Sequence, residues 1–297
     1  MSTQFIVNPT SGRGRRTARL EPAIREFIAR RRLDAGLDLT ARPGHATELA
    51  RAAAGRGCAR IIAVGGDGTV NEIAQALVGT PAALGIVPAG SGNGLALALG
   101  LPTRPAEALA LAADPRARIL AIDTGTANGH PFFNVMGLGF DAEVSRRVNL
   151  LAHRGLAAYL RTGLAAFFHQ EAQRVTVSDG HGRRETLETF MVSVGNSDQY
   201  GNRARFAPGA RVDDGLLDLV AVRPTGWLAA PCLAARLFLG NFDRSPRVRR
   251  LRGAHFVIQR PTPGLIHTDG ETHDTAATVE IAIRPRSLRL IVPAAHG

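Results

Sequence analysis

In the first third of the chain, short apolar runs alternate with stretches that read as helices. "TQFIV" (3–7), "LDLTA" (37–41), "RIIAV" (60–64) and "ALGIV" (83–87) are expected strands. Helices are expected from about Thr17 to Arg32, over "HATELARAAAGR" (45–56), from "GGDGT" through Leu77, and from "PAGSGNG" through Leu99. Strands joined by helical crossovers form a parallel sheet covered on both faces. In such sheets ligands sit beyond the carboxyl ends of the strands. The loops "NPTSGRGRR", "GGDGT" and "PAGSGNG" all follow strands and fall on that edge.

Near residue 118 the pattern changes to short β-rich pieces: "RILAIDTG", "FFNVMGLGF", "QRVTVSDG", "TLETFMVSVGNS", "LLDLVAVR", "HFVIQR", "LIHTDGE", "TVEIAIRP" and "LRLIV". Turns such as "DGHG" and "DDGL" separate some of them, and helix-like stretches at 145–170 and 226–240 interrupt. The expected fold is α/β: a doubly wound parallel-sheet domain over 1–118, then an antiparallel β domain with inserted helices over 119–297.

Composition narrows the class. Of 297 residues 45% are apolar and 21% charged, an ordinary globular balance at a length that suits two domains. No apolar run reaches the about 20 residues of a membrane helix; the nearest, "GLAAYLRTGLAAFF", carries Arg161. "MSTQFIVNPT" lacks the basic-then-apolar order of a signal peptide. Cys58 and Cys232 offer neither a disulfide scaffold nor a zinc spacing, so a cytoplasmic location is expected.

The net charge of +11 is carried by arginine alone, since the chain has no lysine. That excludes a Walker-type phosphate loop, which needs Gly-Lys-Ser/Thr. Any cation on a phosphate must therefore be arginine or a metal. An anionic partner suits such a surface, but with aromatics at 5% and no stacking motif, nucleic acid is not expected. "RSPRVRRLR" (244–252) reads as a solvated loop or as a contact for anionic headgroups. The insert "LLAHRGLAAYLRTGLAAFFHQ" (150–170) reads as core packing or as a lid touching lipid.

In "VGGDGT", Gly65, Gly66 and Gly68 leave the backbone open to close ligand approach. The N–H groups of the following helix and its positive end would face an anion. Asp67 needs a metal, water or hydroxyl between itself and a phosphate. Thr69 and Glu72 also fit a T-x-x-E capping box, in which case both serve only the helix. In the first loop Asn8, Thr10, Ser11 and Gly12 supply amides and hydroxyls and Arg13, Arg15 and Arg16 supply charge, although an ordinary connection reads the same way. The third loop reads G-x-G-x-G and is not the dinucleotide fingerprint; "GLGFDA" matches one but lies in the β-rich half without a crossover. "LIHTDGETH" (265–273) brings Asp269 and Glu271 close together. Such a pair binds a metal or raises one partner until it serves as a base; Asp-Gly is equally the signal of a hairpin turn. "RVDDGLLDL" (211–219) has the same ambiguity.

Taken in order, "NPTSG", "GGDGTVNE", "PAGSGNGLA", "GNSDQYGN…APGARVDDGLLDL" and "TDGE" resemble the diacylglycerol kinase catalytic-domain family, which includes bacterial lipid kinases and the sphingosine kinases. The likeness runs from residue 5 to about 290. It implies an α/β domain followed by a β-sandwich, and ATP-dependent phosphorylation of a lipid hydroxyl with Mg²⁺. By this likeness the ATP site comprises Asn8, Pro9, Thr10, Ser11, Gly12 and Thr40, then Gly65, Gly66, Asp67, Gly68, Thr69, Val70 and Asn71, and Ser91. Glu271 matches the general base, with Asp269 beside it and Asp67 acting through Mg²⁺ and water; some members are described with the Asp67 equivalent as base instead. Arg211, Asp214 and Leu216 match positions that hold a structural Mg²⁺, Arg211 and Leu216 through backbone carbonyls. Asp141 and Glu143 fall near an acid that meets the amino-alcohol headgroup in sphingosine kinases; a solvated helix start is the other reading. One departure is Gly94, where the diacylglycerol kinases carry an aspartate, although "PAGSGN" followed by a small residue is similar to the sphingosine kinase version.

The resemblance therefore implies a cytoplasmic, peripherally membrane-associated lipid kinase using Mg·ATP on a diacylglycerol, a sphingoid base or a related long-chain alcohol. Exposed strand edges leave room for a homodimer. The alternatives are a soluble-substrate kinase of the NAD kinase type and a family member that binds nucleotide or lipid without turnover.

Overall fold

The computed structural model describes residues 2–12, 20–150, 172–180 and 182–294. The chain divides into two units, Met1–Ile122 with Arg286–Gly297, and Asp123–Pro285.

In the first unit β1 (Thr3–Val7), β2 (Ala35–Leu39), β3 (Arg60–Gly65) and β4 (Ala83–Pro88) pair in parallel in the order β2-β1-β3-β4. They alternate with α1 (Leu20–Arg31), α2 (His45–Gly55) and α3 (Asp67–Leu77), and α4 (Gly94–Ala98) and α5 (Pro105–Ala113) follow. β3 and β4 are buried along their whole length, as strands covered on both faces must be. On one face Phe5, Val7, Ile62, Val64 and Val87 pack against Ile24 of α1 and Leu109 and Ala112 of α5. The expected strands and crossovers are all present; α5, opened by Pro105 at its first turn, had no counterpart in the expected elements.

In the second unit β7 (Val135–Gly139), β10 (Met191–Gly195), β11 (Leu217–Val222), β12 (Val248–Gly253), β14 (Gly264–Thr268) and β15 (Glu271–Thr275) form one antiparallel sheet, ordered β12-β11-β10-β7-β14-β15. The facing sheet holds β8 (Gln173–Ser178), β9 (Arg184–Thr189), β13 (His255–Gln259) and the first half of β16 (Thr278–Val292). β5 (Arg118–Ala127) and the short β6 (His130–Phe132) pair beside them. Alternate residues turn inward, the period of two of a pleated strand: Met136, Leu138, Val192 and Val194 from one sheet meet Val175, Val177, Phe256 and Ile258 from the other. The outer face of the first sheet is covered by α6 (Phe140–Asn149) and α7 (Ala230–Leu239).

Four expectations change. The second unit begins at Asp123 rather than 119, and its C-terminal limit is not 297. Past Pro285, Arg289 and Leu290 of β16 pair in parallel with Ala83 and Leu84, and Ile291 joins the first unit's core. "TLETFMVSVGNS" is two strands, because the chain passes from one sheet to the other at Phe190. "RSPRVRRLR" is no solvated loop: most of it is β12, paired to β11, with its arginines turned onto carboxylates. Of the insert 145–170, α6 accounts for the part up to Asn149, and 151–170 lies outside the described residues.

Candidate functional site

The glycine-rich loops leave the carboxyl ends of β1, β3 and β4 and are tied to one another by hydrogen bonds. Asn8 Nδ2 donates to Thr69 Oγ1 at 3.0 Å, and Ser11 Oγ accepts the Gly66 N–H at 3.2 Å. Asn8 Oδ1 also accepts the N–H and hydroxyl of Thr10, which fixes the turn after β1. Asp67 links the second loop to the third: Oδ2 accepts the Asn93 N–H at 2.8 Å and Oδ1 the Gly94 N–H at 2.7 Å. Burial raises the Asp67 carboxyl above its ordinary value, against the lowering effect of the Gly94 and Asn93 N–H groups. A Cβ on Gly90 would lie 2.6 Å from Gly66 Cα, so the second and third loops touch backbone to backbone. Only glycine permits that approach.

The capping box is not formed. α3 starts at Asp67 behind an extended Gly66 with no side-chain cap; Thr69 is engaged by Asn8, and Glu72 Oε2 accepts the Ala46 N–H at 3.1 Å. The sequence motif therefore joins loops and helices rather than closing its own helix. Val70 and Asn71 are buried, and Asn71 Nδ2 has no partner among the described residues. Thr40 follows β2 and donates its N–H to Val7 O, while Ser91 is exposed on the third loop. The charges proposed at Arg13, Arg15 and Arg16 lie outside the described residues.

In the second unit Asp269 and Gly270, both at positive φ (49° and 93°), make the two-residue turn between Thr268 and Glu271, which face each other across the β14–β15 ladder. The hairpin reading of Asp-Gly is thus correct, and the aspartate does more than turn. Its Oδ2 accepts the Phe133 N–H at 2.7 Å, and Oδ1 accepts those of Asn134 and Val135 at 3.0 and 2.9 Å. Burial pushes this carboxyl up to about 6 despite those three donors. Gly270 is held twice more, its N–H on His267 Nδ1 at 3.3 Å and its carbonyl by Asn149 Nδ2 at 2.7 Å. Glu271 is thereby displayed, exposed, from a turn fixed on three sides. Asp269 is a latch for that turn; its oxygens are taken up by main chain, not open to chemistry.

Asp141 and Glu143 separate in role. Ser193, Gly137 and His267 stand side by side on three adjacent strands, and the Asp141 carboxylate occupies the space over the glycine. A Cβ on Gly137 would fall 2.3 Å from Asp141 Oδ2. Ser193 Oγ donates to that oxygen at 2.6 Å, His267 Nε2 lies 3.2 Å from it, and the Tyr200 hydroxyl adjoins Ser193 at 2.8 Å. Burial alone would raise Asp141, but His267, Ser193 and Tyr200 together hold it below its ordinary value. Glu143 instead pairs with Arg146 at 2.8 Å and Arg147 at 2.6 Å on its own helix, and the Arg146 bond leads in holding it at about 2. It is not brought to Asp141, because positions 141 and 143 lie on different sides of α6. The Ser193–His267–Tyr200 surround was missed from sequence. Its signal was the pair of glycines in "MGLGF": a strand glycine marks a close approach, here of a carboxylate.

The metal set fares differently. Asp214, the carboxylate among Arg211, Asp214 and Leu216, accepts the Leu216 N–H on Oδ1 at 3.1 Å and Arg252 Nη2 on Oδ2 at 2.6 Å, while Arg211 reaches Asp213 at 3.3 Å. A divalent cation on Asp214 would take the place of the Arg252 guanidinium, whose side chain is itself 45% exposed. From the acidic turn a chain of ion pairs runs Asp214–Arg252–Asp218–Arg250–Asp243.

Comparison with known proteins closes the assignment. Residues 2–127 match the diacylglycerol kinase catalytic domain, and residues 134–292 match the YegS C-terminal NAD kinase beta sandwich-like domain. A probable lipid kinase YegS-like from Pseudomonas aeruginosa (strain UCBPP-PA14) is 35% identical over 281 residues, covering 91% of this chain and 90% of the relative. One from Chromohalobacter salexigens is 40% identical over 214 residues, covering 68% and 67%. The crystal structure of a putative diacylglycerol kinase from Bacillus anthracis str. Sterne matches with a TM-score of 0.79 and 25% identity over 99% of this chain and 97% of that one. An NAD kinase from Archaeoglobus fulgidus in complex with ATP matches at a TM-score of 0.56 and 14% identity over 99% and 94%, a likeness of fold alone. With its parallel-sheet unit of interlocked glycine loops and its β-sandwich bearing the Asp-Gly-Glu turn, this chain belongs to the YegS-like lipid kinases of the diacylglycerol kinase catalytic-domain family.

Proposed function

We propose that this chain transfers the γ-phosphoryl group of ATP to the hydroxyl of a lipid such as a diacylglycerol or a sphingoid base. The observation that carries the reading is the loop assembly at the strand ends, Asn8–Gly12, Gly65–Asn71 and Gly90–Gly94, in a chain of lipid kinase family. It ties the first and third loops to the positive, N-terminal end of α3, which is what a polyphosphate needs where no lysine exists. Mg²⁺ typically joins substrate phosphates to one or two carboxylates and keeps its waters. Asp67 fits as one such carboxylate, and Gly94 withholds the second; bound there, the ion would neutralise phosphate charge. That reading of Asp67 suits its two N–H bonds better than service as a base.

Glu271 is the group we assign to the acceptor's proton. It is exposed and carried on a turn that Asp269, His267 and Asn149 immobilise. A lipid hydroxyl becomes a competent nucleophile only as a positioned base takes its proton; the transfer then depends on alignment and charge neutralisation. Asp141, anionic and held by Ser193 and His267, is the side chain we assign to the polar end of the lipid. The test is Glu271→Gln. Lipid phosphorylation should fall by at least about 100-fold while ATP affinity is unchanged. Near-normal turnover would move the base elsewhere, to Asp67 first.

A further inference from the structure

α7 is apolar on both of its sides. Inward, Leu233 and Leu237 pack against Phe206, Val220 and Phe242. Outward, Phe238 is 47% and Leu239 72% exposed, and in the turn leading into the helix Trp227 is 68% and Leu228 75% exposed. These four are most of the large apolar side chains left exposed among the described residues, and they fall within residues 227–239. A solvated helix carries charge on its outer face, yet residues 230–239 hold one charged side chain, Arg236, and that arginine bonds back to Asn241 O. A concentrated apolar surface of this kind marks a docking site.

Its surroundings are positive. Residues 223–247 contain Arg223, Arg236, Arg244 and Arg247 against one acid, Asp243, which is paired with Arg250 at 2.9 Å. Arg223, Arg244 and Arg247 are exposed.

We propose that this face docks on an anionic lipid bilayer, Trp227, Leu228, Phe238 and Leu239 entering the interfacial layer while the exposed arginines meet headgroups. An indole prefers the level of the headgroups, apolar helix faces sink into the acyl boundary, and arginines beside them are drawn to anionic lipids. The choice of a bilayer over another protein rests on the proposed function, since a lipid acceptor has to be met at a membrane.

Trp227 is the sole tryptophan, so its emission reports on the face directly. The purified chain is mixed, without nucleotide, with phosphatidylcholine vesicles containing phosphatidylglycerol. Trp227 should shift to the blue and become protected from an aqueous quencher. Phe238→Ser with Leu239→Ser should weaken partitioning at least about tenfold. Arg244→Ser with Arg247→Ser, both at exposed positions, should weaken it and reduce its salt dependence. An unchanged emission overturns the proposal. So does cosedimentation with Trp227 still open to quencher, which would place docking on another face. A blue shift that follows protein concentration without vesicles would also overturn it, the occupant then being a second copy of this chain. No turnover is measured, so absent lipid phosphorylation with docking intact would count against the proposed function and not against this surface.

Discussion

Asp269 accepts three main-chain N–H groups in a buried position, and its carboxyl is pushed up to about 6. The sign of its effect on stability follows. Unfolded, an aspartate titrates near about 3.9; between that value and about 6 the folded chain holds a proton that the unfolded chain has released. This contribution is therefore largest in acid and declines as pH rises through about 6. The thermal midpoint of Asp269→Asn should depend less steeply on pH from about 4 to 7 than the wild type does. It should also lie lower, because an amide NH₂ would face main-chain donors; equal slopes would remove Asp269 as a source. Gly137→Ala tests the neighbouring cluster. Its methyl would collide with Asp141 and His267, and a cost of about 1–3 kcal/mol is expected in chemical denaturation. Spacing alone made Asp67, Asp269 and Glu271 visible. It did not show that the first two brace the backbone, since burial and N–H direction are properties of the folded loops.

At the scale of elements, the strands were legible because their apolar runs end at glycine and proline. The arginine-rich "RVRRLR" misled because its charge was counted without partners. In β12, Arg250 lies opposite Val220 and beside Asp218, and Arg252 opposite Asp218 and near Asp214. Asp218 is 1% exposed with Arg250 at 2.8 Å, whereas Arg252 is 45% exposed. Arg250→Met, which leaves the buried Asp218 carboxylate only Arg252 at 3.2 Å, should cost about 3 kcal/mol. Arg252→Met should cost about 1 kcal/mol or less. With both Asp214 oxygens engaged by Leu216 and Arg252, a chelator should leave the nucleotide-free thermal midpoint unchanged. A rise with Mg²⁺ that Asp214→Asn abolishes would restore the structural metal. The loops make a parallel case. Gly90→Ala pushes the third loop off the second and should weaken ATP binding at least about tenfold, measured by titration calorimetry, because the third loop leaves its place against the start of α3.

For the whole molecule, the division into a parallel-sheet unit and a sandwich was readable from the change of period near residue 118. The return of the last strand was not. Nothing in "LRLIV" distinguishes a strand that ends a sandwich from one that joins β4, and pairing across some 200 residues leaves no local mark. Family membership, by contrast, was carried by motifs in order rather than by any one of them, and it agrees with the loop assembly and the fixed Asp-Gly-Glu turn. No helix among the described residues is long and apolar enough to cross a membrane, and the outer face of α7 offers a way to reach one. The decisive measurement is transfer of labelled γ-phosphate from Mg·ATP to diacylglycerol, sphingosine, monoacylglycerol and NAD, offered separately in mixed micelles. Label on a lipid, lost in Glu271→Gln, is the predicted result; label on NAD alone, or ATP binding without label on any acceptor, would contradict the account.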